Sequence, residues 1–108
     1  MKKAVLFSVL FVCLASISTH AADAKDNWDK MCAKCHGPDG KGDTKMGKKL
    51  DLKSLSDAKV QDSFTDDKAF KEIKGGIKDG DKTRMKPAEN LTDADIKALV
   101  AHVRTLKK

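Results

Sequence analysis

The run Cys-Ala-Lys-Cys-His at positions 32–36 constrains this chain more than any other feature of its sequence. On one helical turn, positions i, i+3 and i+4 lie on the same face, so two thiols and an imidazole converge. Such a run is typical of covalent haem attachment, in which the thiols add to two vinyl groups and the histidine binds the iron. The run therefore predicts one covalent haem held by Cys32 and Cys35, with His36 as the proximal ligand.

A Cys-x-x-Cys pair also occurs in redox dithiols and in zinc sites. A thioredoxin-like dithiol is expected beside a βαβ pattern, and the sequence has no clear run of alternating apolar residues. A zinc site needs further Cys or His residues at metal-ligand spacing, and none is visible in the sequence. Both alternatives are therefore weaker than haem attachment.

The first 21 residues have the pattern of a secretory signal peptide. Two lysines precede an apolar run over residues 4–17, and small residues follow over 18–22. Cleavage after Ala21 is preferred, and cleavage after Ala24 is the alternative. The apolar run is shorter than the roughly 18 residues that a bilayer-spanning helix needs. We therefore expect a cleaved leader over 1–21, one domain over 22–108, export to the periplasm and no stable membrane insertion.

Export changes the charge and the cysteine count of the mature chain. Loss of Lys2 and Lys3 lowers the basic residues from 22 to 20 against 16 acids, so the formal charge becomes +4. Loss of Cys13 leaves two cysteines, both in the haem motif, so no disulfide framework can support the fold. The remaining 87 residues form only a small core without help, and the haem would supply the missing apolar surface.

Apolar periodicity predicts an all-α fold built from short helices. The predicted helices are residues 23–33, 54–63, 65–74 and 92–106. Asp23, Thr65 and Thr92 are the expected N-caps, and Trp28 is the expected core anchor of the first helix. Residues 37–47 and 76–90 are predicted as polar, glycine-containing loops, and no strand is predicted.

Four parts of the sequence together resemble a small bacterial class I cytochrome c. They are Trp28, the motif and its glycine-rich continuation over 32–42, Met85-Lys-Pro, and residues 91–106. The resemblance covers nearly all of the mature chain. It implies the cytochrome c fold, with a few short helices around one covalent haem c, and a distal iron ligand from a methionine in the loop before the last helix. That role falls on Met85.

Met85 has a setting that suits a ligand better than a core residue. Its loop is polar, and it lies 49 positions after His36, which is enough chain to reach the opposite face of the haem. Met46, in the other glycine-containing loop, is the main rival, and His102 is a weaker one.

The sequence departs from the family pattern at two places. Members commonly have a glycine four residues before the aromatic residue of the first helix, and an aromatic residue in the last helix. Those positions are Ala24 and His102 here, so the helix crossing is expected to pack differently, with His102 replacing a ring. The family also often has a proline after the haem motif whose carbonyl accepts a hydrogen bond from the proximal histidine. Residues 43–54 contain no proline, which leaves the acceptor for His36 open.

The predicted ligand pair indicates electron transfer rather than catalysis, because two protein ligands leave no open position on the iron. The predicted function is that of a periplasmic one-electron carrier and not of an enzyme. The protein is expected to be a monomer. One alternative is a haem enzyme with a labile Met85, peroxidase-like or nitrite-handling. A less favoured alternative is a secreted dithiol oxidoreductase.

Six basic residues lie in the two loops expected to border the haem edge. They are Lys45, Lys48, Lys49, Lys82, Arg84 and Lys86. Their positive potential would steer redox partners with acidic docking surfaces, and a merely solvated surface is the equal alternative. Nucleic acid is a poor partner for an exported chain with few aromatic residues.

Overall fold

The computed structural model describes residues 20–108, so all but the last two residues of the predicted leader lie outside it. The elements are α1 (His20–Asn27), a π-helical turn (Trp28–Cys32), α2 (Ala33–His36), α3 (Lys45–Lys49), α4 (Ala58–Asp62), α5 (Asp66–Gly75), β1 (Ile77–Asp79), β2 (Lys82–Met85) and α6 (Asp93–Thr105). The fold is mostly helical, as predicted. No helix within residues 20–108 is long and apolar enough to cross a membrane.

A continuous helical stretch from α1 through α2 carries the haem motif at its C-terminal end. The helix already includes His20, so the prediction that Asp23 caps it is wrong, and Asp23 lies inside α1. Trp28 is buried, which confirms its role as core anchor. Regular α-helical spacing predicts Met31 on the same side as Trp28, but Met31 is 41% exposed. The N–H of Ala33 donates to the carbonyl of Trp28, five residues back, and this wider turn rotates Met31 away from the face of Trp28.

The last helix, α6, is the centre of the fold, and α1 and α5 both pack against it. Thr92 caps it as predicted: its hydroxyl accepts from the N–H of Asp95, and the Asp95 carboxylate accepts from the N–H of Thr92. The buried apolar cluster consists of Trp28, Ala69, Ile73, Ile96, Leu99, Val100 and Val103. Four members of this cluster belong to α6, so the amphipathic stripe of the last helix builds most of the core.

The helix predicted over 65–74 is α5, with Thr65 as its N-cap. The helix predicted over 54–63 is shorter than expected, and α4 covers only Ala58–Asp62. Its buried Gln61 donates from Nε2 to the carbonyls of Leu55 and Val103, which joins α4 to α6.

Residues 76–90 are not a plain loop, because β1 and β2 form an antiparallel hairpin there. Ile77 lies opposite Met85, and Asp79 lies opposite Lys82. The prediction that the chain has no strand is therefore wrong for this segment. The two strands have one half-buried residue each, so the alternation of apolar and polar residues that indicates a strand is nearly absent.

Candidate functional site

The predicted haem motif lies on the π-helical turn and α2. Both thiols are free and half-buried, and they lie three residues apart on the same helical stretch. Burial, and next the neighbouring Cys35, raise the pKa of the Cys32 thiol to about 11. A redox dithiol attacks through a thiolate of lowered pKa, and Cys32, the first thiol of the pair, has the opposite shift.

His36 ends α2 with its imidazole half-buried. Its Nδ1 is buried and has no hydrogen-bond partner among residues 20–108. The sequence did not identify an acceptor for His36, and these residues do not supply one. Burial lowers the pKa of His36, so the ring is neutral at pH 7. Neutral imidazole is the form that binds a metal ion.

Trp28 holds the C-terminal end of the motif in place. Its indole Nε1 donates to the carbonyl of Gly37 at 3.1 Å, and its ring centroid lies 5.6 Å from that of His36. The ring centroid of His102 on α6 lies 5.5 Å from that of Trp28, and Ala24 is buried in α1. The expectation that His102 replaces a ring at the helix crossing is therefore confirmed.

A short helix that the sequence analysis missed, α3, braces the motif from the side. The Thr44 hydroxyl donates to the carbonyl of Cys35 at 2.5 Å and accepts from the N–H of Gly47 at 2.8 Å. A Cβ on Gly47 would clash with the carbonyl oxygen of Gly42 and lie 2.6 Å from that of Cys35. Thr44 before a lysine-rich segment was a usable N-cap signal, but the surrounding glycines favoured a loop.

Met85 is the last residue of β2 and lies half-buried against the apolar cluster that Cys32 also contacts. The sequence predicted a purely polar setting for Met85, whereas in the structure Met85 contacts apolar side chains. Two features hold the segment close to α5: the N–H of Ala88 donates to the carbonyl of Ile73 at 2.8 Å, and Gly76 lets the Met85 carbonyl approach. A Cβ on Gly76, whose φ is +77°, would lie 2.6 Å from that oxygen.

The two rivals of Met85 lie elsewhere. Met46 is 37% exposed on α3, and the imidazole of His102 is held against Trp28. The structure thus brings Cys32, Cys35 and His36 together and places Met85 at the edge of the same core.

The two predicted basic loops meet through Arg84. Its Nη2 donates to the carbonyl of Leu50 at 2.9 Å, which joins β2 to the end of α3, and its Nη1 lies 3.8 Å from Asp79. All six basic residues of these loops are exposed. Together with the Arg84–Leu50 contact they define what we call the α3–β2 surface.

The residues present fit a covalent haem. Two free thiols are spaced for two vinyl groups, a neutral imidazole follows the second thiol directly, and a thioether lies beside the same core. The fit rests on donor chemistry: soft sulfur and imidazole nitrogen suit haem iron.

Comparisons with known proteins also support a covalent haem. The family model described as "Cytochrome c" matches residues 21–107. Among solved structures, "KustC0563 c-type cytochrome" is 33% identical with a TM-score of 0.68, covering 80% of this chain and 99% of that chain. A tyrosine-to-phenylalanine mutant of the same protein is 32% identical with a TM-score of 0.67, covering 79% and 99%. The curated proteins contain no significant match.

Proposed function

Because this chain belongs to the cytochrome c family, we propose that it is an exported one-electron carrier whose covalent haem c has His36 and Met85 as axial ligands. The observation that carries the proposal is the juxtaposition of two free thiols and a neutral imidazole on one helical stretch, with Met85 beside the same core. Cys32 and Cys35 would form the two thioethers. The leader over 1–21 would direct residues 22–108 to the periplasm, where the protein would act as a monomer.

The chain's own residues hold, orient and shield the cofactor in this proposal. When bound, the haem supplies a one-electron couple, and a methionine ligand raises its potential relative to a second histidine. Trp28 fixes the end of the motif through Gly37, while Gly76 and the Ala88–Ile73 hydrogen bond hold the segment that carries Met85. With both axial positions filled by protein, small oxidants have no site on the iron, which favours electron transfer over catalysis.

The assignment of Met85 is tested by the visible spectrum of the oxidised protein. We expect a methionine-to-iron charge-transfer band in the wild type that disappears in Met85→Ala. Met46→Ala is the matched control, because Met46 is exposed on α3 and its loss should leave the band unchanged. A band that survives in Met85→Ala, or that disappears in Met46→Ala, would refute the assignment.

A haem enzyme with a labile Met85 is separated from an electron carrier by carbon monoxide binding. We expect the reduced wild type to bind carbon monoxide slowly, since the distal position is filled, and Met85→Ala to bind it at least tenfold faster. Equal and rapid binding in both proteins would favour the enzyme alternative. Absence of any haem absorbance would favour the dithiol oxidoreductase.

The α3–β2 surface suits redox partners with acidic docking surfaces. Its exposed positive charges would speed association, and salt would slow it. Reversing the charge of Lys48 and Lys86 should lower the rate of electron transfer to an acidic partner protein at low salt. The same double reversal at Lys107 and Lys108, which lie beyond α6, is the control. Equal effects at both places would indicate only a solvated surface.

A further inference from the structure

His102 lies at the end of a chain of three rings that begins at the proposed iron ligand. The centroids of His36 and Trp28 are 5.6 Å apart, and those of Trp28 and His102 are 5.5 Å apart. The His102 ring is therefore at most about 11 Å from the ring of His36. A charge on His102 would act on the iron mainly through the packed interior of the α1–α6 crossing.

Within residues 20–108, no side chain or backbone group forms a hydrogen bond to the His102 imidazole that would fix its charge. Its Nε2 is buried and has no partner among the described residues. Lys25 of α1 and Asp29 of the π-helical turn face it, and these two form an ion pair at 3.2 Å. On α6 itself, the hydroxyl of Thr105 donates to the backbone carbonyl of His102 and not to the ring.

These contacts set the direction of the pKa of His102. Burial lowers it, Asp29 opposes that shift, and Lys25 adds to it. The pKa of His102 therefore lies below the ordinary value of a histidine, and the ring is mainly neutral at pH 7 and takes up a proton from solvent as the pH falls.

We propose that His102 is a proton-binding site coupled to the electron on the haem, so that the reduced protein binds a proton there more tightly than the oxidised protein does. The inference rests on the proposed function. One electron enters from a redox partner, and the positive charge at the iron falls by one; one proton then enters from solvent and binds the imidazole.

The coupling follows from Coulomb's law and linkage. For a charge separation of roughly 11 Å, loss of one positive charge changes the acid dissociation constant of His102 by about two- to tenfold, depending on the local dielectric. By reciprocity, protonation of His102 makes reduction easier by the same factor. The reduction potential should therefore fall as the pH rises through the titration of His102.

Few other groups of the protein are expected to titrate between pH 5 and 8 and so to make the reduction potential depend on pH. The sequence has three histidines: His20 lies in the predicted leader, His36 is the proposed ligand, and His102 remains. Histidine is the only side chain whose unperturbed pKa lies between pH 5 and 8. The haem propionates are the competing source of a pH-dependent potential, and a substitution at His102 separates the two.

The test measures the reduction potential of the holoprotein from pH 5 to 8 in the wild type, His102→Gln and Asp29→Asn. We expect a sloping segment in the wild type that is lost in His102→Gln. Asp29→Asn should keep the slope but move it to lower pH, because Asp29 favours the protonated ring. A slope that is unchanged in His102→Gln would assign the coupling to the propionates and overturn the proposal.

A second test of the coupling uses the wild-type protein alone. The imidazole resonances of His102 are titrated by NMR in the reduced and oxidised wild type, and a higher pKa in the reduced state is expected. Identical titrations in both states would overturn the proposal even if His102→Gln folds poorly. Failure of the proposed function has a separate signature, which is the absence of haem absorbance or of a reversible couple at pH 7.

Discussion

Replacing Arg104 by methionine should destabilise the protein far more than breaking its ion pair. The guanidinium on α6 binds four acceptors on three residues, which lie from α4 to the start of α5. Nε donates to Asp66 at 2.8 Å, Nη1 to the carbonyl and to Oε1 of Gln61, and Nη2 to the carbonyl of Phe64 at 2.8 Å. The same group lies 4.3 Å from the centroid of the Phe64 ring. Methionine keeps the apolar stem of Arg104 and removes all of these contacts.

The magnitude follows from which partners lose their donor. The carbonyls of Gln61 and Phe64 are left without the charged donor, and such hydrogen bonds are worth about 1.5 to 3 kcal/mol each. The Arg104 side chain is 32% exposed, so water recovers part of that loss. The Asp66 side chain is 72% exposed, and an ion pair of that kind contributes about 0.2 to 1 kcal/mol. We therefore expect Arg104→Met to lower the free energy of unfolding by about 2 to 4 kcal/mol, and Asp66→Asn by less than about 1 kcal/mol.

The assay is guanidinium chloride unfolding of the holoproteins, followed by far-ultraviolet circular dichroism. A lower midpoint with an unchanged slope indicates lost stability and not an altered unfolded state. If Asp66→Asn lowers the free energy of unfolding as much as Arg104→Met does, the ion pair is the main contact of Arg104, and the proposed role of its hydrogen bonds to the carbonyls is refuted. The same conclusion follows if Arg104→Met costs less than about 0.5 kcal/mol, which is the range of ordinary surface substitutions.

Three further results are expected. Trp28→Phe should lower the free energy of unfolding by about 2 to 3 kcal/mol, because the Gly37 carbonyl loses its donor and the core loses volume; wild-type stability in denaturant would contradict this. Gly47→Ala should destabilise by about 2 kcal/mol or more, because its Cβ meets the Gly42 carbonyl, whereas Gly75→Ala, with open space around it, should be neutral or slightly stabilising in the same assay. Haem-free protein should lose most of its helix content in circular dichroism, because a mature chain of this size has a small core; native-like helicity would disprove that dependence.

Features that depend on neighbours in the sequence could be predicted from the sequence. Thr65 and Thr92 cap their helices because a hydroxyl reaches an N–H only three residues ahead. The apolar stripe of α6 could be predicted because its apolar residues recur at the spacing of one helix face. Strand β2 was missed because its residues, apart from Met85, are polar and exposed, and the pairing with β1 alone makes it a strand.

The haem motif, the caps of α5 and α6, and the stripe of the last helix were determined by the sequence, since each depends on spacing within a few residues. Tertiary structure alone decided the contacts between distant segments. These include the bond from Trp28 to Gly37, the ring of His102 against Trp28, and the carbonyls that Arg104 binds some forty residues back. The physical reason is that such contacts depend on where helices cross, and the crossing is set by how α1, α5 and α6 bury their apolar faces together.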